Sequence, residues 1–253
     1  MSDIKKKFKR IIRKNVRTCA IILAAGESSR MGMTTKKPFL LLGGMPVLAR
    51  TLLAFQNCRN IDEIIVVASR GDEMTCLNIC KEYGITKLLR VVTGGATRQK
   101  SAMIGLEAVP KKAVYVAIHD GARPLITPMQ ITDVIFAAQR YRVASAGVIS
   151  KDSVKLAREK EPSVVDKTLD RKLIWLVQTP QVFYKTLYEA VAYSAERDGV
   201  TATDDASLAE YYGYPVHMVD TSHKNIKITF PFDISIAEAI LSKDIDEYGG
   251  TGK

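Results

Sequence analysis

From Cys19 to Ser150 short apolar runs alternate with segments of helical spacing, and this alternation constrains the fold more than any other feature of the chain. "CAIILAA" (19–25), "DEIIVVAS" (62–69), "KLLRVVTGG" (87–95), "AVYVAIHDGARP" (113–124) and "ASAGVIS" (144–150) read as strands. Between them "MPVLARTLLAFQNC" (45–58), "DEMTCLNICKEYG" (72–84), "RQKSAMIGLEAV" (98–109) and "TPMQITDVIFAAQRY" (127–141) carry apolar residues three and four apart and read as helices. Gly84 stops the second of these helices, and Thr127 with Pro128 starts the fourth. Strand–helix alternation predicts an α/β fold with a doubly wound, mostly parallel sheet of Rossmann-like type. Residues 150–176 break the rhythm and predict a protruding β-arm. Helices return at 185–199 and 203–213, and "NIKITFPFDISIAEAIL" (225–241) reads as a strand followed by a closing helix. With no repeat and no low-complexity linker, residues 18–243 form one domain whose arm lies at about 150–176. A basic tail (1–17) precedes it, and residues 244–253 are expected to fray.

The formal charge of +10 invites a nucleic-acid reading, but its distribution argues otherwise. Residues 1–17 hold eight basic side chains and one acidic one, and the remaining 29 basic and 26 acidic residues leave +3. The excess belongs to a tail that reads as a solvated extension, so no nucleic acid is expected. Phe8, Ile11, Ile12 and Val16 fall at rough helical spacing, which leaves weak association with an anionic surface as the alternative. No apolar run reaches the length of a membrane helix, and no secretion signal is read at the N-terminus. Cys19, Cys58, Cys76 and Cys80 form no CxxC pair and histidines number three, so the thiols read as reduced in a cytoplasmic protein rather than as metal ligands.

The polar turns "GESSRMG", "TGGATR" and "HDGARP" all follow predicted strands, where an open α/β sheet binds its ligands. "AAGESSRMGMTTKK" combines small residues with Arg30, Lys36 and Lys37, the makings of a polyphosphate cradle. It is neither a Walker A loop nor a dinucleotide fingerprint. Asp120 at a strand end beside phosphates suits a magnesium ion. Arg123 either clamps a phosphate or pairs with Asp120, and His119 reads as a hydrogen-bonded strand residue.

"AAGESSRMG" with Lys37, "GGATRQKSAMIGL", "HDGARP", "LDRKLIW", "QTPQVF", "TDDASLAE" and "NIKIT" follow one another in the order of a known family. Over about Cys19 to Leu241 the chain resembles the methylerythritol phosphate cytidylyltransferases of non-mevalonate isoprenoid synthesis. The resemblance implies a nucleotidyltransferase fold and transfer of CMP from CTP to 2-C-methyl-D-erythritol 4-phosphate, with release of pyrophosphate. It implies Arg30, Lys37 and Lys227 as catalytic cations, and Ala24, Ala25, Gly26, Gly95, Ser101 and Asp120 around CTP. Asp120 would hold Mg²⁺ or another divalent cation. Ser153, Arg171, Thr179 and Thr203 would bind the alcohol substrate. The arm of this family reaches into the neighbouring subunit, which implies a homodimer with composite sites.

Several positions depart from the family pattern. Ser28 stands where a glycine is usual, Lys36 and Pro38 flank Lys37 in place of proline and glutamine, and Ala96 replaces an acidic or polar residue. Lys36 is therefore a rival for the role of Lys37. Two other readings stay open: a ribitol 5-phosphate cytidylyltransferase, and a non-catalytic nucleotide-binding protein that uses the basic tail.

Overall fold

The computed structural model describes residues 16–26 and 36–249. Arg30, Ser28 and the amphipathic reading of the tail lie outside the described residues. Among those described, seven strands form one sheet in the order β11–β7–β10–β6–β1–β4–β5. They are β1 (Thr18–Ala24), β4 (Glu63–Ala68), β5 (Leu88–Thr93), β6 (Tyr115–Asp120), β7 (Val143–Ile149), β10 (Trp175–Tyr184) and β11 (His217–Asp220), while β2 (Leu41–Leu42) and β3 (Met45–Pro46) pair as a small separate ribbon. β10 runs antiparallel to both neighbours, β6 and β7, and the other pairs are parallel.

The apolar runs are continuous because helices cover both faces of the sheet. Ala20, Ile22 and Ala24 of β1 pack into a cluster with Leu48, Leu52 and Phe55 of helix α1 (Val47–Asn57) and with Val134 and Ile135 of a later helix (Pro128–Tyr141). Cys19 and Ile21 point the other way, against Ala102 and Leu106 of the helix Arg98–Glu107 and Leu187 and Tyr188 of the helix Lys185–Asp198. In chain order the remaining helices are named α2 (Glu73–Glu82), α3 (Arg98–Glu107), α4 (Pro128–Tyr141), α5 (Lys185–Asp198), α6 (Asp205–Tyr211) and α7 (Phe232–Gly249). Thr127 and Gln130 form the expected start of α4, each side chain bonded to the other's backbone N–H. α5 ends on Gly199, whose φ of +68° is a left-handed cap.

The arm is a hairpin of β8 (Val154–Arg158) and β9 (Glu161–Leu169) with mostly exposed side chains. Four sequence expectations change. The arm's return strand, β9, ends at Leu169, and after the turn Arg171–Leu173 a separate strand, β10, starts at Trp175 and runs through "QTPQVF" into the sheet. Residues 225–229 form no strand; one backbone bond joins them to a distant backbone, from the Ile228 N–H to the Ala122 carbonyl at 2.8 Å, and no ladder forms. α7 runs to Gly249, into the stretch expected to fray, because no proline or glycine interrupts it before residue 249. Val16 and Arg17, assigned to the tail by the sequence, belong to the folded body: Val16 packs on the core, and the Arg17 carbonyl accepts from Val114 N–H at 2.8 Å. The four cysteines are free and buried, and burial pushes the Cys19 and Cys76 thiols up to about 12. No helix of the described residues is long and apolar enough to cross a membrane.

Candidate active site

The turns after β1 and β5 meet at the carboxyl edge of the sheet. A Cβ at Gly94 would lie 2.5 Å from the Ala25 Cβ and 2.8 Å from the Ser101 Oγ, so only glycine lets these segments approach. The Ser101 hydroxyl accepts from the Gly95 N–H at 3.1 Å in the first turn of α3, whose N-cap Thr97 accepts from Lys100 N–H. Ala24, Ala25, Gly26, Gly95 and Ser101 thus sit on neighbouring turns, beside a helix N-terminus that favours negative charge.

Asp120, the last residue of β6, is the centre of a charge cluster. Arg98 Nε donates to its Oδ1 at 3.1 Å, and Lys227 Nζ to its Oδ2 at 2.9 Å. Arg123 Nε lies 3.6 Å from Oδ2, and its Nη1 donates to the Asn225 carbonyl at 2.9 Å, so the structure pairs Arg123 with Asp120. Burial alone would raise the Asp120 pKa, but the three cations outweigh it and hold the carboxyl far below the usual range. Arg98 also donates from Nη1 to Asp205 Oδ2 at 2.7 Å, and the Tyr188 hydroxyl donates to Asp205 Oδ1 at 2.6 Å. Burial works against the Arg98 charge, yet Asp205 and Asp120 together keep its pKa above the ordinary value.

Beneath Asp120 lies a neutral histidine. His119 is fully buried, and desolvation takes its pKa down to about 3. Its Nε2 faces the Arg123 carbonyl at 3.3 Å, which can only accept, so that nitrogen carries the proton. The Thr179 hydroxyl, 2.9 Å from Nδ1, then donates to the ring and accepts from the Asp120 N–H at 3.1 Å. Thr179 is 3% exposed, and its one hydroxyl proton is used inside the protein.

Lys36 and Lys37 part company. Lys36 Nζ reaches Asp72 at 2.6 Å, beside the start of α2, whereas Lys37 opens the short helical turn Lys37–Phe39 and is 9% exposed. Thr203 is exposed just before α6, within 3.4 Å of Asp204, which caps that helix. Ser153 and Arg171 stand exposed at the root of the arm, where Arg171 Nη1 donates to the Lys151 carbonyl at 2.7 Å. That root borders a cavity of about 550 Å³ lined by Ser150, Lys151, Asp220 and His223 among others. The structure therefore joins Asp120, Lys227 and Thr179 directly and leaves Ser153, Arg171 and Thr203 on surrounding segments. Sequence reasoning missed Arg98, Asp205, Tyr188 and Asn225. Only Arg98 carried a signal, a cation at the start of a helix in a glycine turn.

For a divalent cation the described chain offers a single carboxylate at this point, with no group of three or more acidic, histidine or cysteine ligands. Such a donor set suits magnesium, which keeps waters and takes its other ligands from phosphates, and does not suit an all-protein cage.

Comparison with known proteins agrees with the geometry. The model of the family described as IspD, 2-C-methyl-D-erythritol 4-phosphate cytidylyltransferase, matches residues 18–243. A bifunctional enzyme IspD/IspF of Desulforudis audaxviator is 46% identical over 226 residues, which is 88% of this chain; the chain spans 56% of that relative. A 2-C-methyl-D-erythritol 4-phosphate cytidylyltransferase of Clostridium acetobutylicum is 42% identical over 228 residues, 89% of this chain and 98% of its own. The crystal structure of 4-diphosphocytidyl-2C-methyl-D-erythritol synthase from Anaerococcus prevotii superposes with a TM-score of 0.81 at 33% identity, over 90% of this chain and 97% of that one.

Proposed function

The chain belongs to the 2-C-methyl-D-erythritol 4-phosphate cytidylyltransferase family, and from that premise we propose that it transfers CMP from CTP to 2-C-methyl-D-erythritol 4-phosphate, releasing pyrophosphate, as a step of isoprenoid precursor synthesis. The observation that carries the reading is the half-exposed Lys227 ammonium 2.9 Å from Asp120 at the carboxyl edge of the sheet, with Arg98 and Arg123 on the same carboxylate.

The substrate phosphate attacks the α-phosphorus of CTP in line. Its second pKa is about 6, so it is largely dianionic near neutral pH and needs no general base. The work left to the protein is alignment and charge stabilisation. Lys227 is the cation free to leave Asp120 partly and meet the attacking phosphate. Arg30 and Lys37 brace the CTP phosphates and the charge that grows on pyrophosphate. Ala24, Ala25 and Gly26 bring backbone to the nucleotide, and Gly95 and Ser101 read cytosine and ribose. Thr203 donates to the alcohol substrate. Thr179, its hydroxyl already used by His119 and the Asp120 N–H, supports Asp120 from below. Ser153 and Arg171 complete the alcohol site of the neighbouring subunit in a cytoplasmic homodimer. Asp120 would hold magnesium, which when bound supplies further positive charge to the phosphates.

The test is pyrophosphate release with CTP and Mg²⁺, comparing methylerythritol phosphate with ribitol 5-phosphate. Turnover with the first alone is the expected result. Equal or faster turnover with the second would move the enzyme to polyol metabolism. Firm CTP binding with no turnover on either would refute catalysis.

A further inference from the structure

We infer that Asn225 is the positioning residue that holds Lys227 against Asp120, a role that rests on Lys227 acting in the transfer proposed above. Residues 225–229 carry no strand ladder, so something else must fix the lysine. The segment is pinned on both sides of Lys227. On one side Ile228 is fully buried in a small cluster with Leu40, Leu42, Val47 and Ala237, and its N–H donates to the Ala122 carbonyl. On the other side Asn225 is fully buried and is tied to distant segments by three hydrogen bonds. Its Nδ2 donates to Gln178 Oε1 at 2.8 Å and to the Thr179 carbonyl at 3.0 Å, and its own carbonyl accepts from Arg123. One side chain therefore links the lysine segment to β10 at the residue whose hydroxyl supports Asp120.

The amide's orientation is set by its neighbours. The Thr179 carbonyl can only accept, so the nitrogen must face it. Gln178 is held in turn, its Oε1 accepting from the Thr221 hydroxyl at 2.9 Å and its Nε2 donating to the Ser222 carbonyl at 3.1 Å. The Asn225 Oδ1 is buried with no hydrogen-bond partner. An apolar side chain filling this space would carry no such cost, so the residue is explained by its two donors, which place the backbone two residues before Lys227.

The experiment is a double-mutant cycle on turnover of the full chain with CTP, methylerythritol phosphate and Mg²⁺. Asn225→Ala and Asn225→Asp are each made alone and with Lys227→Ala. Aspartate keeps the size of asparagine but turns an oxygen toward the Thr179 carbonyl. Each single variant should lower kcat about 10- to 50-fold with KM for CTP changed less than about threefold. In the Lys227→Ala background the same changes should alter kcat less than about threefold, because the residue they position is gone. Equal factors in both backgrounds would mean general loosening and would overturn the inference, as would wild-type kcat in Asn225→Ala. Thr221→Val, a milder change one hydrogen bond further out, covers the case in which the Asn225 variants fail to fold. It should cost about three- to tenfold in kcat, again only when Lys227 is present. Wild-type turnover of Lys227→Ala would refute the role of Lys227 and the positioning role of Asn225 with it. Equal factors in an enzyme that Lys227→Ala cripples would remove the positioning role alone.

Discussion

Arg98 is the side chain whose removal should show most clearly in stability. Its guanidinium bridges Asp120 and Asp205, but the two carboxylates are not equivalent. Without Arg98, Asp120 keeps Lys227 at 2.9 Å and Arg123 at 3.6 Å. Asp205 is 1% exposed and keeps the Tyr188 hydroxyl, which neutralises no charge. In Arg98→Met, which preserves the stem and removes the charge, the cost therefore falls on Asp205. Stripping one partner from a buried ion pair costs about 3–5 kcal/mol. The Arg98 side chain is 27% exposed, so water screens part of the loss. About 2–4 kcal/mol remains. At about 2–4 °C per kcal/mol for a chain of this size, Tm should fall by roughly 5–15 °C.

Thermal and urea melts of Arg98→Met measure that fall directly. The double variant Arg98→Met/Asp205→Asn tests its cause. Asparagine carries no charge yet still accepts from Tyr188, so the double variant should regain at least about half of the lost stability. A single variant melting within about 2 °C of wild type would refute the reasoning. So would a double variant no more stable than the single, because the loss would then not reside in the stranded Asp205 charge.

Lys37→Ala and Lys227→Ala should each slow turnover by about a hundredfold or more, as for loss of a transition-state donor. Lys36→Ala, which breaks only a half-exposed pair with Asp72, should stay within a few-fold; a crippled Lys36→Ala would shift the phosphate role by one residue. Gly94→Ala should destabilise the protein by about 1–3 kcal/mol and raise KM for CTP, since its Cβ meets Ala25 and Ser101, and wild-type values of both would refute the cradle geometry. His119 stays neutral in the fold down to about pH 3, while in the unfolded chain it takes a proton below about pH 6.5. Stability should therefore fall as pH drops from 6.5, by on the order of 2–3 kcal/mol at pH 4.5, and His119→Asn should lack that component; equal pH slopes in the two proteins would refute it. Mixing inactive Arg171→Ala and Lys227→Ala chains should restore up to about a quarter of wild-type activity if the arm completes the partner's site, and no recovery after subunit exchange would exclude composite sites.

The inner parallel strands β1, β4 and β6 were legible in the sequence because helices bury both of their faces, which makes each a continuous apolar run; β11, an edge strand with no buried residue, was not. β10 hid its second half because Gln178, Thr179 and Gln181 interrupt its apolar pattern, although all three are buried. Each is satisfied by hydrogen bonds: Gln178 to Ser222, Thr179 to His119, Gln181 to Asp204. The opposite error arose at "NIKIT". Ile226 and Ile228 alternate as in a strand, but the segment's backbone reaches another strand or turn through one backbone bond, Ile228 N–H to the Ala122 carbonyl, and no ladder forms. The choice between Lys36 and Lys37 could not be made locally either, because what occupies Lys36 is an aspartate 36 residues away.

These cases share a cause that explains which half of the site could be read. Small residues and glycines at strand ends reveal themselves, since their function is to let backbone approach and the strand before them fixes their place. A buried polar residue does not, because whether it can be buried depends on a partner that only the topology supplies. Asp205 is stable in the interior through Arg98, 107 residues earlier; Thr179 through His119, 60 earlier; Asn225 through Gln178, 47 earlier. Those pairs tie α6 to α3, β10 to β6 and the lysine segment to β10, so the residues least visible in the sequence are the ones that bring the late part of the chain toward Asp120. The antiparallel insertion of β10 between β6 and β7 is what puts Thr179 under Asp120 and Asn225 within reach of Arg123, and it follows that disturbing β10 should affect Lys227 before it affects the cytosine side of the site.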